Sequence, residues 1–559
     1  MVMFRDKTTG YSISIARYKP TIDYSTTSYA CVGAFYGSNT INSNASSIEI
    51  NYPSRDSARK YFDIESCHRV VYDMTIMADQ TLTFADAYIN MYSNQYLLED
   101  VRIVNTDIEE CYKVINEDFK SFTVSKKNKG YVSYGVEVPI TIENGKFHGC
   151  SWQAGFTGQQ LACAYNMMFY GLKYNDQKSF ENGINIINFW VNDIHMMSSS
   201  GVPWTWFEGY YMEWLGYPAF LRMVIDAMEA LFDAYRLAMA NGIEVSGWIE
   251  TVISCADWLV RCQNADGSWY RCYNYEGTIY RGDEPDITWN PGIVAKPSSK
   301  NSTPMPVRFL GKMYEYTNDS KYLNSIKKAG EFIYNELYPQ NVYIGGTCDN
   351  ADCIDKEAGV FAMYAYDTLY MLTGEERWLA CLEQATIFTM STVIAVSFKV
   401  NTTSKLKVAY PLQCGYSDGL SYIVCGGTAV DNYVAYIYYQ LFRLYIHTGK
   451  EVYYKMSEFV QQNTKSTMDW DGVLNFPYKS LIAEASTIYT FSYSAAKDQY
   501  GTQGIWLPWQ SVANGEPIAK MIDTFNVADV MALKDVSINE LRNILKEYGV
   551  GGNTHRRFS

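Results

Sequence analysis

The chain changes its hydrophobic rhythm once. From residue 1 to about 148, apolar and polar positions alternate, as in Tyr11-Ser12-Ile13-Ser14-Ile15 and Tyr131-Val132-Ser133-Tyr134-Gly135-Val136-Glu137-Val138. A period of two sends successive side chains to opposite faces of a strand. Ser, Asn and Gly breaks separate these segments, so the pattern predicts a β-rich, sandwich-like accessory domain over 1–148. A helical stretch near Leu98 to Asn116 interrupts it. From 149 to 559 apolar residues recur at helical spacing in long amphipathic segments.

Those helices come in pairs with a repeated turn. Met313-Tyr314-Glu315-Tyr316-Thr317-Asn318-Asp319, Leu369-Tyr370-Met371-Leu372-Thr373-Gly374-Glu375 and Leu444-Tyr445-Ile446-His447-Thr448-Gly449-Lys450 match one another. Tyr170-Gly171-Leu172-Lys173-Tyr174-Asn175-Asp176 is a looser copy. Gly or Asn supplies the left-handed residue that ends one helix, and the chain reverses into the next. Tyr314, Tyr370 and Tyr445 are 56 and 75 residues apart, which fits two helices plus a loop of variable length per repeat. Five hairpins are expected at about 158–197, 217–263, 303–337, 356–396 and 428–464, and a weaker sixth from about 480. Closed in a ring, they form a mainly α, (α/α)6 toroid. Each long loop then precedes the first helix of a hairpin, and all long loops gather at one end.

Those loops have an unusual composition. They hold Trp152-Gln153, Trp204-Thr205-Trp206-Phe207-Glu208, Gln263-Asn264-Ala265-Asp266-Gly267-Ser268-Trp269, Asp431-Asn432 and Trp506-Leu507-Pro508-Trp509. Seven of the 13 Trp (152, 204, 206, 269, 289, 506, 509) fall in them, which suggests a lined cleft more than open surface. A loop Trp also serves as a plug, Asp266 fits a turn and Asp431 a helix cap. The fourth loop, Gly345-Gly346-Thr347-Cys348-Asp349-Asn350-Ala351-Asp352-Cys353-Ile354-Asp355-Lys356-Glu357, packs four carboxylates into nine positions before a helical run. One of these acids caps the helix; four exceed what capping needs. Crowded carboxylates repel, so one is expected to hold a proton near neutral pH. The spacing does not fit an EF-hand calcium loop.

Composition narrows the function classes. Across 559 residues the net charge of −14 disfavours nucleic acid and anionic membrane surfaces. No apolar run reaches about 18 residues, so no membrane span is expected. The 13 Cys are scattered and odd in number, which points to reduced thiols, and no metal or cofactor is expected. The start shows no signal-peptide apolar core. A complete chain would be cytoplasmic, and one that had lost a leader would be secreted or periplasmic. Oligomeric state is open.

The hairpin repeat, the Gln263-to-Trp269 loop and the Trp-rich inner loops resemble the six-hairpin, (α/α)6-toroid glycoside hydrolases over about 150–540. No particular family is implied, and no catalytic residue is carried over. The resemblance implies a carbohydrate substrate. Gln263-x-x-x-Gly267-x-Trp269 also resembles the QW motif of terpene cyclases, but it occurs once and an Asp-x-Asp-Asp motif is absent. Toroidal sugar epimerases rely on His, which is scarce in the loops. A uronate lyase with a Tyr base and a non-catalytic glycan-binding protein are the alternatives.

Glycoside hydrolysis needs one carboxyl to protonate the leaving oxygen and a second to activate water or attack. The candidate catalytic residues are Asp349, Asp352 and Asp355, with Glu208 as partner on another loop. The candidate substrate-binding residues are Trp152, Gln153, Trp204, Trp206, Trp269, Glu357, Asp431 and Trp509.

Overall fold

The computed structural model describes residues 2–5, 8–17, 21–23, 69–71, 74–81, 83–98, 101–128, 131–137, 151–209, 212–281, 296–339, 341–348, 350–395, 418–425, 429–468, 470–471, 479, 486–487, 508–552 and 555–558. The chain divides into two compact units, Met1–Asp100 and Val101–Ser559.

In the first unit, β1 (Val2–Arg5), β2 (Tyr11–Arg17) and β5 (Met74–Gln80) form an antiparallel sheet in that order. β3 (Thr21–Asp23) pairs with β4 (Arg69–Val71), and helix α1 spans Phe84–Leu98. The period of two read from sequence is present in β2, with its apolar set facing outward. Ser12 and Ser14 are buried, whereas Tyr11 and Ile13 are 59% and 52% exposed. A sandwich would place a second sheet against this face. No such sheet is among the described residues, and 24–68 lie outside them.

The second unit contains a closed ring of helices. Helix α2 (Ile108–Phe122) starts at Asp107, whose carboxylate accepts the Glu110 N–H at 2.9 Å, and the hairpin β6 (Thr123–Asn128) and β7 (Tyr131–Val136) follows it. Of the helical stretch expected at 98–116, residues 101–107 are not helical and α2 supplies the helix from Ile108 onward, while α1 ends at Leu98.

Five hairpins follow: α3 (Gln160–Tyr174) with α4 (Gln177–Asn188), α5 (Leu221–Ala240) with α6 (Trp248–Cys262), and α7 (Met305–Thr317) with α8 (Ser320–Phe332). The others are α9 (Lys356–Thr373) with α10 (Glu376–Ser391), and α11 (Tyr438–Thr448) with α12 (Glu451–Asn463). α13 (Pro508–Phe525) is the sixth inner helix. Its outer partner is α2, which packs on both α13 and α3. The ring is therefore closed by a helix from before residue 148, and segment 101–148 groups with the helical unit. A last helix, α14 (Ile538–Tyr548), contacts α11 and α13.

Burial separates the two layers. From Gln160 to Gly171 of α3 and from Lys356 to Leu369 of α9 every residue is buried, because an inner helix meets outer helices on one side and the ring axis on the other. Outer helices such as α4 and α8 bury a single stripe.

The repeated turn is a left-handed C-cap. Asn318, Gly374 and Gly449 have φ of 55, 68 and 71°, and their N–H groups donate to the carbonyls of Tyr314, Tyr370 and Tyr445 at 2.7–2.8 Å. The preceding Thr hydroxyl donates four residues back and accepts from the residue two ahead in all three copies.

Charges line the axis in pairs. Glu229 and Asp233 on α5 meet Arg308 (2.6 Å) and Lys312 (2.7 Å) on α7, and Asp367 on α9 meets Arg443 (2.8 Å) on α11. Charges so buried persist only when paired.

Candidate active site

Loops entering α5, α9 and α11 meet at one end of the ring. Helix α9 begins there because Asp355 caps it: one carboxylate oxygen accepts the Ala358 N–H at 2.8 Å and the other the Gly346 N–H at 2.9 Å. Gly346 must be glycine, since a Cβ there would stand 2.0 Å from the Ala358 nitrogen. Burial raises the Asp355 carboxyl above its usual range, with the Ala358 N–H, the Cys353 thiol and the Gly346 N–H opposing.

The cap fixes Glu357 in the first turn of α9, facing Arg222 in the first turn of α5. The two form a close ion pair, at 5% (Arg222) and 7% (Glu357) exposure. Arg222 also donates to the Gly346 carbonyl and to the Tyr433 hydroxyl, each at 3.0 Å, and its guanidinium lies 4.9 Å from the Phe156 ring centre.

One helical turn on, Asp226 lies 3.8 Å from Arg222. Its Oδ2 accepts the Phe156 N–H and the Gln159 side-chain amide, both at 3.1 Å. Phe156 and Gln159 hold left-handed backbones, φ 53 and 43°, without being glycine. Such conformations cost on the order of 1–3 kcal/mol each and gather at functional sites. Here they aim two donors at one carboxylate oxygen.

Two carboxyls thus flank one guanidinium, and both titrate near neutrality. Burial pushes Glu357 up to about 7, with Arg222 and Lys356 opposing and Asp355 and Asp431 adding. Burial pushes Asp226 up to about 6, against Arg222 and the Phe156 N–H, with Glu516 adding. Beside them Asp431 pairs with the buried Lys356 at 2.9 Å and accepts the Tyr433 N–H at 2.9 Å.

The remaining residues singled out from sequence are dispersed. Asp349 lies outside the described residues. Asp352 is exposed and paired with Lys296. Glu208 is buried in strand β9 (Trp206–Glu208), opposite Ser151 of β8 (Ser151–Gln153).

Three of the tryptophans sit inside the fold. Trp152 packs against Phe189 and Phe207, Trp206 against Tyr217, and the indole N–H of Trp269 donates to the Leu259 carbonyl at 2.8 Å. Trp204 is half-buried between Tyr275 and Trp214. Gln153 accepts from Thr157 at 2.6 Å. The Trp509 N–H meets the Thr157 carbonyl at 3.2 Å, and its ring lies 5.8 Å from that of Tyr433, on the edge of the Arg222 cluster. Glu357, Asp431 and Trp509 are therefore brought together with Arg222 and Asp226.

Sequence reading passed over Arg222 and Asp226. Their signal was a charged stripe, Arg222, Asp226, Glu229 and Asp233, along one face of an otherwise apolar helix. Among the described residues no group of three or more His, Cys, Asp or Glu could hold a metal ion. None of their helices is long and apolar enough to cross a membrane.

No family model matches the chain, and no curated protein does. Solved structures do. A cellobiose 2-epimerase from Bacillus thermoamylovorans B4167 is 10% identical over 77% of this chain and 99% of its own, with a TM-score of 0.50. An unsaturated glucuronyl hydrolase from Streptococcus agalactiae is 11% identical over 78% and 96%, with a TM-score of 0.43. A GH76 α-mannanase from Bacteroides thetaiotaomicron is 12% identical over 74% and 95%, with a TM-score of 0.42. The epimerase likeness, together with the helix ring, establishes the (α/α)6 toroid as the fold.

Proposed function

We propose that this chain is a carbohydrate-processing enzyme that hydrolyses glycosidic bonds, with Glu357 as general acid and Asp226 as general base. The observation that carries the reading is the pair itself: a buried Glu357 and a half-buried Asp226 on different inner helices, on either side of Arg222, held up to about 7 and about 6. Between those values Glu357 holds a proton to give to a leaving oxygen, while Asp226 is ionised and ready to take one from water. Asp355, Gly346 and Tyr433 hold the constellation, and Trp509 and Phe156 supply apolar surface beside it. The cellobiose 2-epimerase among the similar solved structures supports the substrate class. Epimerisation, suggested by the similar cellobiose 2-epimerase, would use the same carboxyls to move a proton on carbon. The described histidines, His195, His447 and His555, lie elsewhere.

The test is product analysis on a panel of plant and microbial glycans. Hydrolysis releases new reducing ends without near-ultraviolet absorbance. Growth of that absorbance would mean a lyase, and deuterium uptake from solvent onto sugar carbon without cleavage would mean an epimerase. On the glycan that is cleaved, kcat/KM should rise with pH through about 6 and fall through about 7. Glu357→Gln should lower turnover by about 100- to 10,000-fold.

A further inference from the structure

We propose that a cavity on the ring axis beneath Asp226 holds the water that this residue activates, and that Glu516 and Ala230 shape the water's position. The inference rests on the hydrolytic reading and adds the route by which the nucleophile arrives.

Three observations converge. The first is the asymmetry of the Asp226 carboxylate. The Phe156 N–H, the Gln159 amide and the nearest Arg222 nitrogen all approach Oδ2. Among the described residues no donor reaches Oδ1. Oδ2 is the anchored oxygen, and Oδ1 is left for another partner.

The second is the cavity. Asp226 forms part of its wall, and Glu229, Ala230, Glu516 and Tyr436 continue it along the axis. Its volume is about 40 Å³. A water needs about 10–15 Å³ measured this way and two to four polar partners, so there is room for two or three. The carboxylates, Tyr hydroxyls and Arg308 in the wall supply those partners, whereas dry cavities are apolar.

The third is the charge around Asp226. Arg222 acts on it from its own helix, Tyr433 and Tyr436 from the turn before α11 and Glu516 from α13, while Glu229 and Asp233 of α5 and Arg308 of α7 share the cavity wall with it. Glu516 is paired with Lys520 one turn along α13. Glu516 and Asp226 line the same cavity, and the Glu516 charge works against ionisation of Asp226.

The step balances as a hydrolysis. Water gives a proton to Asp226 Oδ1 as its oxygen bonds to the anomeric carbon. The bond from that carbon to the leaving oxygen breaks, and Glu357 gives its proton to that oxygen. The proton on Asp226 then returns to Glu357 through solvent, which restores both carboxyls.

The experiment is a carboxyl titration of the whole protein by infrared difference spectroscopy, with Asp226→Asn identifying the Asp226 band. It needs no substrate. Ala230→Val fills cavity space and leaves every carboxylate of the wall in the sequence. If water solvates Oδ1, the filled variant should titrate about one pH unit higher, a tenfold change in proton affinity, because desolvation disfavours the charged form. Glu516→Gln keeps the volume and removes a negative charge, so Asp226 should titrate lower. With the cleaved glycan, Ala230→Val should lower kcat by about 10-fold with KM nearly unchanged. An unmoved Asp226 midpoint in folded Ala230→Val, or in Glu516→Gln should the first variant not fold, overturns the proposal. So does full turnover in Ala230→Val where Asp226→Asn is dead. Failure of the hydrolytic reading would appear differently, as near-ultraviolet absorbance or solvent deuterium in the products of the unaltered protein.

Discussion

In the proposed reading, Glu357 couples chemistry to stability at the level of one residue. Its folded carboxyl titrates at about 7 against an ordinary 4.5, so the folded chain holds this proton more tightly than the unfolded chain. The resulting stabilisation is fully present below pH 4.5 and is lost as pH rises through 7. At 1.36 kcal/mol per pH unit this is on the order of 3 kcal/mol. Asp226 acts in the same direction over a lower window, ending near pH 6. Unfolding free energy should therefore decline between pH 5 and 8, and the decline should be shallower in Glu357→Gln. Denaturant midpoints across that range measure it, and equal slopes in the two proteins would contradict the folded-state proton on Glu357. The acid-rich loop was legible as the place to look, because four carboxylates in nine residues stand out. Which acid has which neighbour was not legible. Asp355 reads locally like Glu357, yet one is turned onto backbone N–H groups and the other onto Arg222, 135 residues away.

At the level of the element, the helix-ending turn is the part most fully written in the sequence. Its residues lie within one turn of each other, so local spacing contains all the information the structure uses. The left-handed position takes Asn in one copy and Gly in two, at nearly the same φ. Nothing lies within 4 Å of a Cβ built on Gly374. Substitution there probes backbone strain alone. Gly374→Ala should lower stability by about 1–2 kcal/mol, the cost of a left-handed non-glycine residue. Gly374→Asn should lose clearly less, because Asn tolerates this region and already serves at Asn318. Thermal melts of the two variants decide it, and equal losses would mean that the cap is not what ends α9. Strands in the first unit show the limit of local pattern. Period two marked β2 correctly, but pattern alone does not say which face is covered, and the serines take the buried side.

For the whole molecule, ring closure is non-local and was hidden for that reason. The sixth inner helix, α13, has no outer partner following it in the way the other five do. Its partner is α2, nearly 400 residues earlier. An amphipathic helix placed among alternating segments read as part of the β-rich region, and only the three-dimensional ring assigns it. The buried face of α2, with Cys111, Ile115, Phe119 and Phe122, is the surface that would be lost if the toroid began at 149. Side chains of that kind contribute about 1.5–3 kcal/mol each on burial. Their loss would also uncover apolar surface on α3 and α13, and would approach the entire stability of an ordinary domain. A chain of residues 101–559 should therefore fold with a cooperative melt, whereas residues 149–559 should be insoluble or melt without cooperativity. Expressing both and comparing soluble yield with calorimetric transitions is the test. A cooperative, soluble 149–559 would show that the ring closes without α2 and would return the boundary to the change in hydrophobic rhythm.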